Sequence, residues 1–149
     1  MSSTAEFDLE TFLPYQLSVL ATKTSRDFAQ IYAAEFDLTI PEWRVLAHLS
    51  QSQHVSVREI HTRVDMDKSK VTRAVQRLTA SKHVKKIQNA KDKRLVSLSL
   101  TAKGRKVMRQ LAPKADAFAQ DLLDILTPAQ RDTFRAVVAK LIDTHNKTE

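Results

Sequence analysis

Residues 89–101 read NAKDKRLVSLSLT, and no other stretch restricts the fold of this chain as much. Elsewhere the apolar residues recur at helical spacing, but here Leu95, Val96, Leu98 and Leu100 stand among serines directly after a charged KDKR. Alternation with period two predicts a strand, and Val84 to Gln88 is the segment placed to pair with Leu95 to Leu100. Asn89 and Asp92 supply turn chemistry for such a hairpin, with Val96, Leu98 and Leu100 on its inward face. A mainly helical chain is thus expected to carry one short ribbon with a basic tip.

What precedes the ribbon gives it a context. Ser56 followed by Glu59 reads as a capping box, with Val55 and Ile60 as its hydrophobic staple, and it opens a short helix to about Val64. Asp67 is an N-cap signal for the next helix, with Met66 and Val71 as a second staple. There Val71, Ala74, Val75 and Leu78 form one inward stripe, which leaves Lys68, Ser69, Lys70, Thr72, Arg73, Gln76 and Arg77 on the other faces. Two short helices joined by a tight turn make a helix-turn-helix, and a hairpin directly after it makes a winged helix. The ribbon then holds Lys91, Lys93 and Arg94 beside the second helix, within reach of phosphates or a minor groove. Asp92, two residues before Arg94, can brace the guanidinium by a bidentate pair.

Charge placement points to the same partner. From Arg58 to Arg94 there are twelve lysines and arginines against four acids, Glu59, Asp65, Asp67 and Asp92, a net of +8. The whole chain carries only +7, so all of its excess positive charge lies in this quarter. Concentration of this kind favours a polyanionic partner over a generally solvated surface.

The two ends are helical. Pro14 suits a first turn, and from Leu17 the residues Leu20, Ala21, Thr24, Phe28, Ile31 and Tyr32 make a stripe to about Phe36. Thr39, Ile40 and Pro41 start a second helix containing Trp43, Leu46, Ala47 and Leu49. Thr101 caps a fifth helix whose stripe, from Val107 and Met108 to Leu122 and Leu126, passes Pro113, where a kink is expected. Thr127 and Pro128 open a last helix with Phe134, Val137, Val138, Leu141 and Ile142 on one side. These end helices are too long and too apolar to be covered by the small central lobe, so they are expected to bury one another across a two-fold axis. The resulting fold class is mainly α with a small β-hairpin wing: one domain over 1–149, with a winged helix-turn-helix lobe at 39–100 flanked by N- and C-terminal dimerisation helices at 8–36 and 101–147.

Other classes find little support. With no cysteine there is no disulfide, thiolate metal site or thiol redox switch, and a single glycine, Gly104, excludes a glycine-rich phosphate loop. No enzyme signature occurs, and His48, His54, His61, His83 and His145 lack metal-ligand spacing. No cofactor or metal is therefore expected. Without a long apolar run or a basic, apolar leader, the expectation is a soluble, cytoplasmic protein that makes no membrane contact.

The spacing D-x-R-x-x-x-x-x-L-T from Asp92 and Arg94 to Leu100 and Thr101, followed by Lys103 and Gly104, together with DKSKVTRAVQRL at 67–78, resembles the MarR family of bacterial winged-helix transcription regulators. Leu38, Thr39 and Trp43 add to the likeness, which covers about Pro14 to Asn146. The resemblance implies a homodimer on double-stranded DNA at a pseudo-palindromic operator, usually a repressor, often released by a small aromatic or phenolic carboxylate effector. By position it implies that Ser69, Lys70, Thr72 and Arg73 face the major groove, Arg94 the minor groove, and Ser56 and Arg58 the backbone; Lys68, Arg77, Lys91, Asp92 and Lys93 complete the expected DNA-binding set. Where the first, second and fifth helices meet, Tyr15, Trp43, Arg44 and His48 are the expected effector ligands. The competing reading is a non-enzymatic winged-helix module for RNA or the ribosome, which would share the basic stripe but need no dimerisation arms.

Overall fold

The computed structural model describes residues 6–52 and 54–148. Among these described residues, six helices and one hairpin follow in the order α1 (Leu13–Phe36), α2 (Ile40–Gln51), α3 (Val57–Arg63), α4 (Lys68–Ala80), β1 (Val84–Gln88), β2 (Val96–Leu100), α5 (Ala102–Leu123) and α6 (Pro128–Asn146). The chain divides into two compact units, Met1–Leu111 and Ala112–Glu149.

In the first unit α2 and α3 pack on α4, α4 leans on β1, and α2 also meets β2. The shared core is Val45, Leu46, Leu49, Val55, Ile60, Val71, Val75, Leu78, Val84, Leu98 and Leu100. The inward stripe expected for α4 is the buried one, Val71, Ala74, Val75 and Leu78.

The hairpin is antiparallel, with Val84 opposite Leu100, Lys86 opposite Leu98 and Gln88 opposite Val96. Its inner face is apolar only near the core: Leu98 and Leu100 are buried, whereas Val96, expected inward, is exposed where the ribbon leaves the lobe. Leu95 lies before the strand rather than in it. Val55 adds a one-residue bridge on the free edge of β2, where its N–H donates to the Leu98 carbonyl at 3.1 Å and Leu98 returns the bond at 2.7 Å.

Helix starts follow the chemistry of the capping residues, with two corrections. Thr39 and Thr127 form full capping boxes with Glu42 and Gln130. At α3 the box is half made: the Glu59 N–H donates to Ser56 Oγ at 3.2 Å, but the Glu59 carboxylate takes the Ser56 hydroxyl instead of its backbone N–H. Asp67 precedes α4 without a side-chain cap bond. Thr101 Oγ1 accepts from the Gly104 N–H at 3.1 Å, which starts α5 as expected.

The helix α5 continues through Pro113 and ends at Leu123, three residues short of the expected stripe. In the second unit α6 carries Phe134, Val137, Leu141 and Ile142 exposed.

Candidate nucleic-acid interface

The geometry of α4 follows from its buried stripe. With Val71, Ala74, Val75 and Leu78 turned in, a rotation of about 100° per residue places Ser69, Arg73 and Gln76 on the opposite face. Lys68, Ser69, Lys70 and Arg73 are exposed; Thr72 is half-buried and spends its hydroxyl proton on the Lys68 carbonyl at 2.8 Å. Gln76 shares the outward face with Ser69 and Arg73 and was absent from the expected contact set, although the spacing 69, 73, 76 was enough to find it. Ser56 and Arg58 stand at the start of α3, Arg58 exposed and Ser56 engaged with Glu59.

The wing tip is built by two Asx turns. Asn89 Oδ1 accepts the N–H groups of Lys91 and Asp92 at 2.8 and 3.2 Å, and Asp92 Oδ1 accepts that of Arg94 at 3.1 Å. The strands are closed below by Asn89 N–H to the Leu95 carbonyl, and Leu95 N–H bonds the Asp92 carbonyl. No residue of the tip has a positive φ, so these side-chain turns make a sharp reversal without glycine or proline.

The expected brace is present. Arg94 Nε donates to Asp92 Oδ1 at 3.1 Å and Nη2 to Oδ2 at 3.2 Å. Those bonds hold the Asp92 carboxyl below its ordinary range, so it stays charged. Arg94 is 91% exposed, aimed but unburied. Gln88 adds a bond from Nε2 to the Lys93 carbonyl at 2.8 Å, another brace that hydrophobic pattern does not signal. Lys91 and Lys93 are exposed beside it.

Arg77 is placed differently from its neighbours. Its Nε donates to Glu42 Oε1 at 3.2 Å, tying α4 to the first turn of α2. Glu42 is buried, and its other oxygen accepts the Thr39 N–H at 2.6 Å. Around this pair lies a cleft of about 290 Å³ reached by Leu38, His83 and Lys103. Arg63, at the end of α3, donates to Ser52 Oγ at 3.2 Å and lies beside His48.

The expected effector residues are not gathered in one chain. Trp43 stacks on Tyr32 at 5.8 Å and meets Phe28 edge-on at 5.2 Å. Tyr15 is exposed seventeen residues before Tyr32 on the same helix, which at 1.5 Å per residue is about 25 Å along the axis. Arg44 and His48 flank the Trp43 turn half-buried. Burial, then the nearby Arg63, holds the His48 imidazole below its usual range, against the pull of Glu59. Among the described residues no cluster of acids and histidines could hold a metal ion, and no helix is long and apolar enough to cross a membrane.

Residues 36–95, the second helix through the wing, match the model of the MarR family. The chain is 35% identical over 108 residues to the HTH-type transcriptional regulator TtmR of Methylorubrum extorquens, covering 70% of this chain and 55% of that relative. In sequence and in fold the chain is similar to the MarR family. The match thus spans about half the length of TtmR. A MarR family regulator from Silicibacter pomeroyi DSS-3 superposes with a TM-score of 0.81 at 28% identity, covering 93% of this chain and 98% of that one. BpsR of Bordetella bronchiseptica, a protein whose DNA binding is regulated by 6-hydroxynicotinic acid, shares the fold with a TM-score of 0.83 at 22% identity, over 93% of this chain and 99% of its own. The curated relatives it matches are HTH-type transcriptional regulators, in line with the expectation of a non-enzymatic regulator.

Proposed function

We propose that this protein is a MarR-type, sequence-specific regulator that binds double-stranded DNA as a homodimer on a pseudo-palindromic operator, and that it acts as a repressor. The observation that carries the reading is the joining of a +8 segment to a winged helix-turn-helix whose wing arginine, Arg94, is exposed and held in direction by Asp92. The exposed face of α4, with Ser69, Lys70, Thr72 and Arg73, then reads the major groove, while Lys68, Lys91 and Lys93 neutralise phosphates and Ser56 and Arg58 contact the backbone. Residues 39–100 form the DNA-binding lobe, and 8–36 with 101–147 form the dimerisation arms. Support for those arms comes from large exposed apolar side chains on separate helices, Leu13, Leu17 and Leu20 on α1 and Phe134, Val137, Leu141 and Ile142 on α6, more than a monomer ordinarily leaves to water.

A small aromatic carboxylate is proposed as the effector that weakens DNA binding, on the analogy of BpsR. The aromatic group of Phe28, Tyr32 and Trp43, with Arg44 beside it, supports that ligand class better than Tyr15 does.

The test is fluorescence anisotropy with a duplex that the protein itself selects from a randomised pool, set against a random duplex. Tight, selective binding is expected, and if ten phosphates are neutralised the affinity falls by about 10⁵ between 50 and 200 mM salt. Equal affinity for both duplexes, or preference for structured RNA, would refute the reading. Titration of the complex with 6-hydroxynicotinate and hydroxybenzoates checks the effector class.

A further inference from the structure

We infer that Arg77 is a positioning residue that sets the seat of the recognition helix through buried Glu42, and is not a phosphate contact. The inference rests on the DNA-binding reading above and departs from the expectation that every basic residue of α4 touches DNA.

Three observations lead to it. First, the partner is a committed one. The Glu42 side chain is 4% exposed, and a carboxylate taken so far out of water needs its charge matched and its lone pairs filled. One oxygen is filled by the Thr39 N–H at 2.6 Å and the other by Arg77 Nε at 3.2 Å. Arg77 itself is 61% exposed, so the demand for the pair comes from Glu42. A phosphate that drew the guanidinium away would strand a buried charge.

Second, Arg77 stands at the wrong end of α4. It lies nine residues after Lys68, about 13 Å along the axis, whereas a recognition helix meets base edges with its first turns. Its side chain leaves α4 on the flank against α2, one turn beyond Arg73.

Third, Glu42 is itself fixed. It closes the capping box at the start of α2, and its chain neighbour Trp43 is wedged against Phe28 and Tyr32 of α1. The Glu42–Arg77 pair therefore joins α4 to a rigid corner of the lobe. A small rotation of α4 about its own axis would leave the positive charge of the lobe unchanged and misdirect Ser69, Thr72 and Arg73. Loss of the pair should therefore harm sequence discrimination while leaving non-specific attraction alone.

That difference separates the two roles. The full chain and its Arg77→Ala, Glu42→Gln and double variants are titrated with the self-selected duplex and with a random duplex, each at 50, 100 and 200 mM KCl. Glu42→Gln retains an acceptor for the Thr39 N–H, and circular dichroism with an unfolding midpoint verifies that each variant is folded at the assay temperature. The expected result is an affinity for the selected duplex reduced about tenfold in each single variant, with no further loss in the double variant, because a shared pair is non-additive. Random-duplex affinity and the salt slope stay at wild-type values, which a general loss of folded protein would not produce.

If Arg77→Ala lowers the salt slope by about one per protomer, as loss of a phosphate contact does, the inference is overturned. It is equally overturned if Glu42→Gln binds the selected duplex like wild type, or if the two losses add. Failure of the wild-type chain to bind any duplex would remove the DNA-binding reading itself and this inference with it, a result distinct from all of these.

Discussion

Gly104 is the single glycine among 149 residues, and its use is not conformational freedom. It sits in the first turn of α5 with an ordinary negative φ, and a Cβ built there would lie 2.2 Å from the carbonyl oxygen of His83. That oxygen also accepts the Thr101 N–H at 3.0 Å, so the start of α5 is pressed onto the link between α4 and β1. Gly104→Ala must push backbone apart, and a loss of about 1–3 kcal/mol in chemical denaturation is expected. Arg94 is the opposite case. Its side chain touches Asp92 at an exposed tip and nothing in the core, so Arg94→Ala should leave the unfolding midpoint unchanged while weakening binding to the selected duplex roughly tenfold or more. A variant that binds like wild type would show that the wing stays out of the groove.

At the level of elements, the absence of further glycines leaves a mark at the helix ends. Asp37, His54, Asp65 and Lys82 all take left-handed backbone, with φ between 50° and 62°, a region that side chains with a Cβ enter at a penalty. Asp65 makes the turn between α3 and α4, and Asp37 ends α1. Asp is among the residues that tolerate this conformation best. Lys82 has no such excuse. It follows α4, and His83 N–H reaches back to the Leu78 carbonyl at 2.9 Å, the six-to-one bond of a Schellman ending. Lys82 is exposed, so Lys82→Gly should relieve the strain and raise stability by about 0.5–1 kcal/mol after the greater flexibility of the unfolded chain is counted. A fall in the denaturation midpoint would show that the lysine stem makes a contact worth more than the strain.

For the molecule as a whole, two histidines couple stability to pH. Burial, then Lys103, holds His83 below its usual range against the opposing Glu42, while its Nδ1 pairs with Ser81 Oγ at 2.7 Å. His48 is lowered in the same sense. In the unfolded chain both protonate near pH 6.5, so below that value the unfolded state binds more protons than the folded one. Stability is therefore complete above about pH 6.5 and declines as pH falls through the lowered folded values. Urea midpoints at pH 7, 6 and 5 should fall in that order, and His83→Gln should flatten the trend. At this scale also belongs the proposed dimer: light scattering at micromolar concentration should give twice the chain mass of 16.9 kDa, and a monomer mass would remove the proposed arms.

Much of this was legible in the order of residues, because the features concerned are local. A period of two against a background of 3.6 marked the hairpin, hydroxyl caps marked the helix starts at Thr39, Ser56, Thr101 and Thr127, and Asp92 two residues before Arg94 lay close enough for their pairing to be read from spacing. Sequence distance is a sound guide only while the partners share a turn. The pairing of Glu42 with Arg77 across thirty-five residues, the edge bridge from Val55 to Leu98, the pressure of Gly104 on His83 and the separation of Tyr15 from Trp43 have no local signature. They depend on which faces of α1, α2, α4 and α5 the common core turned toward one another, and burial of apolar surface, being non-directional, is decided by all of those faces together.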